Sequence, residues 1–247
     1  MTVLYRLTAS DNFIIEYCAT CDKATPINLT NHTYWNISGD LQYDLLTHRL
    51  LLSCSHYLPV DETQIPTGEV RSVANSPFDL TQGSAGPMLL DVIPKVDGGG
   101  QCGLDHCFVV SADSPVVVSS RYAELGNDRN HVLRTVELRH VATLTSPGNG
   151  ESVRKLMTYS TKPAVQIYTG NFLPVLNNPS DSPHRQHNAI CIETQYYVDG
   201  INIVDKWKTT EGLMNCSGHT GNDGYNGVVL RPGVEYYHQT MYCFRTG

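Results

Sequence analysis

Apolar and polar residues alternate with a period of two along much of the chain, the spacing that sends successive side chains to opposite faces of a strand. Val3, Tyr5 and Leu7 alternate with Thr2, Leu4 and Arg6, and after a Ser-Asp-Asn turn at 10 to 12 the pattern restarts at Phe13, Ile15 and Tyr17. This predicts a hairpin at the start of the chain. A second hairpin is predicted from Val136 through Val141 to Leu144, a Ser146-Pro-Gly-Asn-Gly150 turn, and Val153 to Tyr159. Further strands are expected at Cys107 to Val110, Val116 to Arg121, Ala164 to Thr169, Ala189 to Gln195 and Tyr236 to Phe244. Leu41 to Leu52 carries a helical spacing mixed with an alternating one and stays open between them. Many short strands joined by turn residues, with little sustained helical period, predict an all-β fold, a large antiparallel β-sandwich. Alternation resumes after both Gly98 to Gly100 and Ser217 to Gly227, so these read as loops within one domain spanning residues 1–247.

Charge and composition narrow the function classes. A net charge of -7 and the lack of a Lys/Arg cluster argue against a nucleic-acid partner, whose affinity comes from neutralising phosphates. Apolar runs such as Leu50 to Leu52 and Val116 to Val118 are far too short to cross a bilayer, and Met1 to Ser10 lacks a signal-peptide layout. A cytoplasmic protein with free thiols is the expectation for the eight cysteines. Cys18-Ala-Thr-Cys21 and the group Cys102, His106 and Cys107 raise a zinc site. The two groups do not repeat one another, and no metal is expected.

Motifs for a nucleophile elbow, a P-loop or a zinc protease are absent. What stands out is polar residues inside strand-like segments. Along Ala189 to Gln195, Ile190 and Ile192 share one face while Cys191, Glu193 and Gln195 share the other. A half-buried cleft on that face would raise the Glu193 pKa toward general-base range, whereas spacing alone favours a solvated sheet surface. Val165 and Ile167 likewise oppose Gln166 and Tyr168. An amide and a ring on one face suit sugar hydroxyls and C–H surfaces, or an ordinary wet sheet. His32 lies among hydrogen-bonding side chains and two large aromatics, where a structural role competes with catalysis. Asp105 precedes a strand and could equally cap a turn.

Together these segments resemble a family. Asn28-Leu-Thr-Asn-His-Thr-Tyr-Trp-Asn36, Tyr57-Leu-Pro-Val-Asp-Glu62, Ile65-Pro-Thr-Gly68, Gly103-Leu-Asp-His106, Val165-Gln-Ile-Tyr-Thr-Gly-Asn171, Cys191-Ile-Glu-Thr-Gln195 and Leu230-Arg-Pro-Gly233 are similar, in order and spacing, to the successive motifs of the aldose 1-epimerase (galactose mutarotase) family. The resemblance implies a β-sandwich holding a sugar in an open cleft on its concave sheet. It matches Glu193 to a general base and His32 to a sugar-contacting general acid, with Tyr34, Asp105 and Gln166 at substrate-contacting positions. The implied reaction interconverts the α and β anomers of a hexose such as galactose or glucose. It needs no cofactor and no metal. The expected partner is a small-molecule aldose, and the expected state a monomer or weak homodimer.

The family also carries an arginine-bearing segment and an Asn-His-Leu-His-Gly-Gly segment ahead of its Asn-Leu-Thr-Asn-His motif. This sequence starts after both, so the resemblance implies an N-terminally truncated sandwich. Two other readings compete: a catalytically impaired carbohydrate-binding protein of the same fold, and a glycoside hydrolase pairing Asp105 with Glu193.

Overall fold

The computed structural model describes residues 1–39, 43–121, 134–147, 152–174, 185–207 and 229–247. Along the chain the strands are β1 (Thr2–Leu7), β2 (Asn12–Ala19), β3 (Thr25–Pro26), β4 (Tyr34–Trp35), β5 (Arg49–Leu52), β6 (Cys54–Leu58), β7 (Arg71–Ser72) and β8 (Asp105–Val110). They continue as β9 (Val116–Arg121), β10 (Arg134–Thr145), β11 (Arg154–Ser160), β12 (Ala164–Tyr168), β13 (Ile190–Gln195), β14 (Val229–Leu230) and β15 (Tyr236–Thr246). Two short helices, α1 (Leu89–Val92) and α2 (Gly200–Trp207), interrupt the series.

Two antiparallel sheets face one another. The first runs β1-β2-β15-β11-β10-β5, with β9 also paired to β10, and the second runs β4-β13-β12-β8-β6-β7. Both predicted hairpins form. β1 pairs β2 from Thr2↔Cys18 to Leu7↔Phe13, and β10 pairs β11 from Arg139↔Ser160 to Thr145↔Lys155. The tip of the second hairpin, at 148 to 150, and the 217 to 227 stretch lie outside the described residues.

The period-two pattern explains the sandwich. Ile15 and Tyr17 of β2, Leu50 and Leu52 of β5, and Tyr236 and Tyr242 of β15 point inward from one sheet. They meet Phe108 and Val110 of β8, Val165 and Ile167 of β12, and Ile190 and Ile192 of β13 from the other. One apolar layer is thereby shared by both sheets, and its removal from water is the main force holding them together.

Several segments depart from the expected pattern, the longest of them as follows. Of the Leu41 to Leu52 segment, 41 and 42 lie outside the described residues; in the rest, Asp44 accepts a hydrogen bond from the Leu46 amide to cap a 3-10 turn at Leu45–Thr47, and β5 follows. The leucine spacing that looked helical instead sends Leu45, Leu50 and Leu52 into the core. Strand β6 and helix α2 were not expected. Ile203 of α2 packs with Leu58, Cys107, Val109 and Ala164 on the outer face of the second sheet, so that face is covered at one end. Among the described residues no helix is long and apolar enough to cross a membrane.

Candidate active site

The second sheet builds a polar surface by register. Tyr34 of β4 lies opposite Cys191 of β13, Cys191 opposite Tyr168 of β12, and Tyr168 opposite Asp105 of β8. Residues paired in this way across neighbouring strands present their side chains to the same face. One pleat further along, Glu193 lies opposite Gln166, which lies opposite Cys107. Because Ile190, Ile192, Val165 and Ile167 belong to the core, the alternating Cys191, Glu193, Gln166 and Tyr168 must face away from it. All five residues singled out from the sequence, His32, Tyr34, Asp105, Gln166 and Glu193, belong to this one cluster of contacts.

Glu193 does not sit on a solvated surface. It is 8% exposed. Burial raises its pKa above the ordinary 4.5, a rise opposed by nearby His32 and reinforced by Asp105. Asp105 is also raised by burial, against the pull of its hydrogen bond from Gln166 and of His32. Tyr34 and Tyr168 are pushed up mainly by desolvation, so both remain neutral phenols.

His32 reaches this face from the segment before β4, and the crowd of polar residues around it is what fixes that segment. The Asn28 amide donates to the Tyr196 carbonyl at 3.1 Å and its oxygen accepts from the Tyr196 N–H at 2.8 Å. The Thr30 hydroxyl donates to the Thr194 carbonyl at 3.0 Å, and Tyr236 accepts from the Leu29 N–H at 3.1 Å. Asn31 caps the turn, accepting from both the amide and the hydroxyl of Thr33. With its backbone held to β13 and β15, His32 places Nε2 3.5 Å from Glu193 Oε1 and Nδ1 3.3 Å from Cys191 Sγ. Its ring lies 5.1 Å from that of Tyr34 and 6.3 Å from that of Tyr168, centroid to centroid. The imidazole still keeps 53% of its side-chain surface open to solvent.

Asp105 and Tyr168 owe their positions to a knot at the end of β8 and β12. Thr169 Oγ1 accepts from the Leu104 N–H at 2.9 Å and donates to Asn171 Oδ1 at 2.7 Å, while Asn171 Nδ2 donates to the Leu104 and Gly98 carbonyls. Gly103 passes through this knot at φ +131, and a Cβ there would lie 2.0 Å from Asn171 Oδ1. Gly103→Ala is therefore expected to destabilise the fold by about 2–4 kcal/mol, from backbone strain and overpacking together. A lowered melting temperature checks this; a melting curve superimposable on the wild type contradicts it.

Asp105 is the first residue of β8, not a turn cap, and Oδ1 accepts from Gln166 Nε2 at 2.8 Å. The second amide atom, Gln166 Oε1, is buried with no hydrogen-bond partner, an acceptor facing an arrangement rich in polar groups. Tyr168 and Cys191 were placed on this face by alternation but were not singled out as site residues. What marks them is their register alongside Asp105 and Tyr34, which no single strand reveals.

The cysteine groups raised as zinc ligands do not converge. Cys21 donates instead to the Leu230 carbonyl at 3.5 Å, and His106 packs its ring 4.7 Å from Phe78. The donor atoms of His32, Cys191 and Glu193 do lie within 4.8 Å of one another, the one such group of three among the described residues.

The fold and its sheet-face cluster define the class, an antiparallel β-sandwich of the galactose mutarotase-like type. The chain superposes on a GalM/aldose epimerase homologue from C. elegans with a TM-score of 0.68 at 23% identity, covering 99% of this chain and 59% of that one. A galactose 1-epimerase from Lactobacillus acidophilus gives 0.66 at 20% identity, covering 99% and 56%. A family model described as aldose 1-epimerase matches residues 1–211, and the chain belongs to that family. It is 32% identical over 244 residues to a human galactose mutarotase and 30% identical over 243 residues to an Escherichia coli aldose 1-epimerase. Each alignment takes in 98% of this chain but only 56% and 58% of the relative's length.

Proposed function

We propose that this chain interconverts the α and β anomers of a hexose such as galactose or glucose, with Glu193 as general base and His32 as general acid. The observation that carries the reading is the meeting of a buried, pKa-raised Glu193 with a solvent-reaching His32 at 3.5 Å. In a cyclic hemiacetal the anomeric hydroxyl and the ring oxygen are both attached to C1, so proton acceptor and donor have to converge on one spot. Glu193 takes the hydroxyl proton, His32 protonates the ring oxygen, and the C1–O5 bond breaks to leave an open-chain aldehyde. Rotation about C1–C2 and reclosure with the roles exchanged gives the other anomer.

The remaining residues fit the holding of a sugar. The unpartnered Gln166 Oε1 is an acceptor for a sugar hydroxyl, and Asp105 accepts or shares a second. The rings of Tyr34 and Tyr168, 6.3 Å apart and edge to face, offer surfaces for sugar C–H groups. Fixing the ring against these contacts makes both proton transfers effectively intramolecular. The described cysteines are all unbridged, which fits a cytoplasmic setting.

Polarimetry or NMR anomer exchange on freshly dissolved glucose and galactose tests the proposal. Rates above the buffer reaction and proportional to protein concentration are expected; rates equal to buffer alone overturn it. Asp105→Ala is expected to raise the half-saturating sugar concentration about tenfold or more, the worth of a hydrogen bond to a charged group, with turnover at saturation changed less. Loss of turnover with affinity intact would contradict the binding role and favour a two-carboxylate hydrolase.

A further inference from the structure

We propose that His32, Cys191 and Glu193 form a site for a thiophilic divalent cation of the Zn²⁺ class, and that this cation and the sugar exclude one another. The three donors come from two elements that the fold holds rigidly: β13 supplies Cys191 and Glu193 two residues apart on one face, and the anchored segment before β4 supplies His32. In tetrahedral zinc, bonds of about 2.0–2.3 Å to nitrogen, oxygen and sulfur place neighbouring ligand atoms about 3.4–3.6 Å apart. Taking one donor atom from each residue, the three atoms lie within 4.8 Å of one another. His32 now turns Nδ1 to Cys191 Sγ at 3.3 Å and Nε2 to Glu193 Oε1 at 3.5 Å, so rotation of the solvent-reaching imidazole, which aims one nitrogen between thiol and carboxylate, completes the set.

The donor chemistry points the same way. Imidazole, thiolate and carboxylate together select zinc-like ions over Mg²⁺ or Ca²⁺, which need several hard oxygen donors. On binding, the Cys191 thiol gives its proton to solvent and coordinates as thiolate. Three protein ligands leave the fourth position open, on the side where His32 is exposed. An ion there ties up both proposed proton-transfer groups. That exclusion rests on the epimerase reading above; the cation site itself does not.

The experiment uses Co²⁺ as a spectroscopic stand-in for zinc, titrated into the full chain. One equivalent is expected to produce a thiolate-to-cobalt charge-transfer band with tetrahedral visible bands, displaced by Zn²⁺ and untouched by Mg²⁺. Cys191→Ser should abolish the band, while Glu193→Gln and His32→Asn should weaken Co²⁺ affinity at least tenfold. Cys102→Ser, which alters an exposed thiol away from the cluster, should keep it. Saturating galactose should weaken Co²⁺ binding at least tenfold. Absence of a band, or a band that survives Cys191→Ser, overturns the site; if Cys191→Ser fails to melt cooperatively, unchanged affinity in the surface-reaching His32→Asn overturns it instead. The two proposals fail separately. A band with no anomer exchange in metal-free buffer supports the site and overturns the epimerase reading, whereas catalysed exchange with no band does the reverse.

Discussion

Glu193→Gln is expected to lower anomer exchange by about 10²-fold or more while galactose still binds. The amide matches the carboxylate in shape, so the row of Glu193 against Gln166 and Cys107 keeps its packing. What disappears is the acceptor of the anomeric proton. The pH dependence follows from the same burial. Only the ionised carboxylate acts as base, and desolvation holds its pKa above 4.5, so activity should fall on acidification at a higher pH than an ordinary glutamate would dictate. The stability effect has the opposite sense. A raised folded pKa means the native state keeps its proton where the unfolded chain has lost it, so that contribution is complete below pH 4.5 and is lost as pH rises through the folded value. Removing the ionisable group should flatten the pH dependence of melting over that range. Polarimetric exchange and sugar titration on the same preparation check the prediction, and an unchanged exchange rate removes Glu193 from the role of base.

Alternation placed Glu193 with Cys191 on one face of β13, opposite Ile190 and Ile192, and the burial of both isoleucines agrees with it. That face was legible because side-chain direction along a strand depends on the chain's own period. Whether the face was wet was not legible. It depends on packing between distant parts of the chain, which leaves Glu193 only 8% exposed; α2 went unseen because its eight residues are too few for a helical period to stand out from the alternating pattern around it. The meeting of His32 with Cys191 spans 159 positions, and the pairing of β4 on β13 brings it about. Spacing left His32 and Asp105 open to bland explanations, and it was the order of motifs along the whole chain that joined them. Strand β6 went unseen for a related reason. It follows β5 after a single residue, Ser53, whose amide bonds to the Val141 carbonyl, so the break between the two strands is set by partners far away in sequence.

His32→Asn is expected to reduce turnover at saturating sugar about 10²-fold or more, with a smaller change in the half-saturating concentration. The ring oxygen of the sugar becomes an alkoxide as C1–O5 breaks, and the imidazole lies beside Glu193, with Nε2 3.5 Å from Oε1. Tyr34, Tyr168 and Cys191 all have raised pKa values, so each is a poorer acid than usual. Asparagine retains a donor of similar size and can still hold a hydroxyl, but it cannot transfer a proton. The exposure of His32 matters here as well, since an acid that exchanges roles with a base on reclosure needs a route to water for resetting its proton. If the two residues act as one unit, the double variant with Glu193→Gln should be little slower than either single variant, because once one proton transfer fails the other has nothing to assist. Independent contributions would instead multiply. A rise in the half-saturating concentration alone, with full turnover at saturation, would make His32 a sugar-binding residue and leave the source of the ring-oxygen proton to a different group.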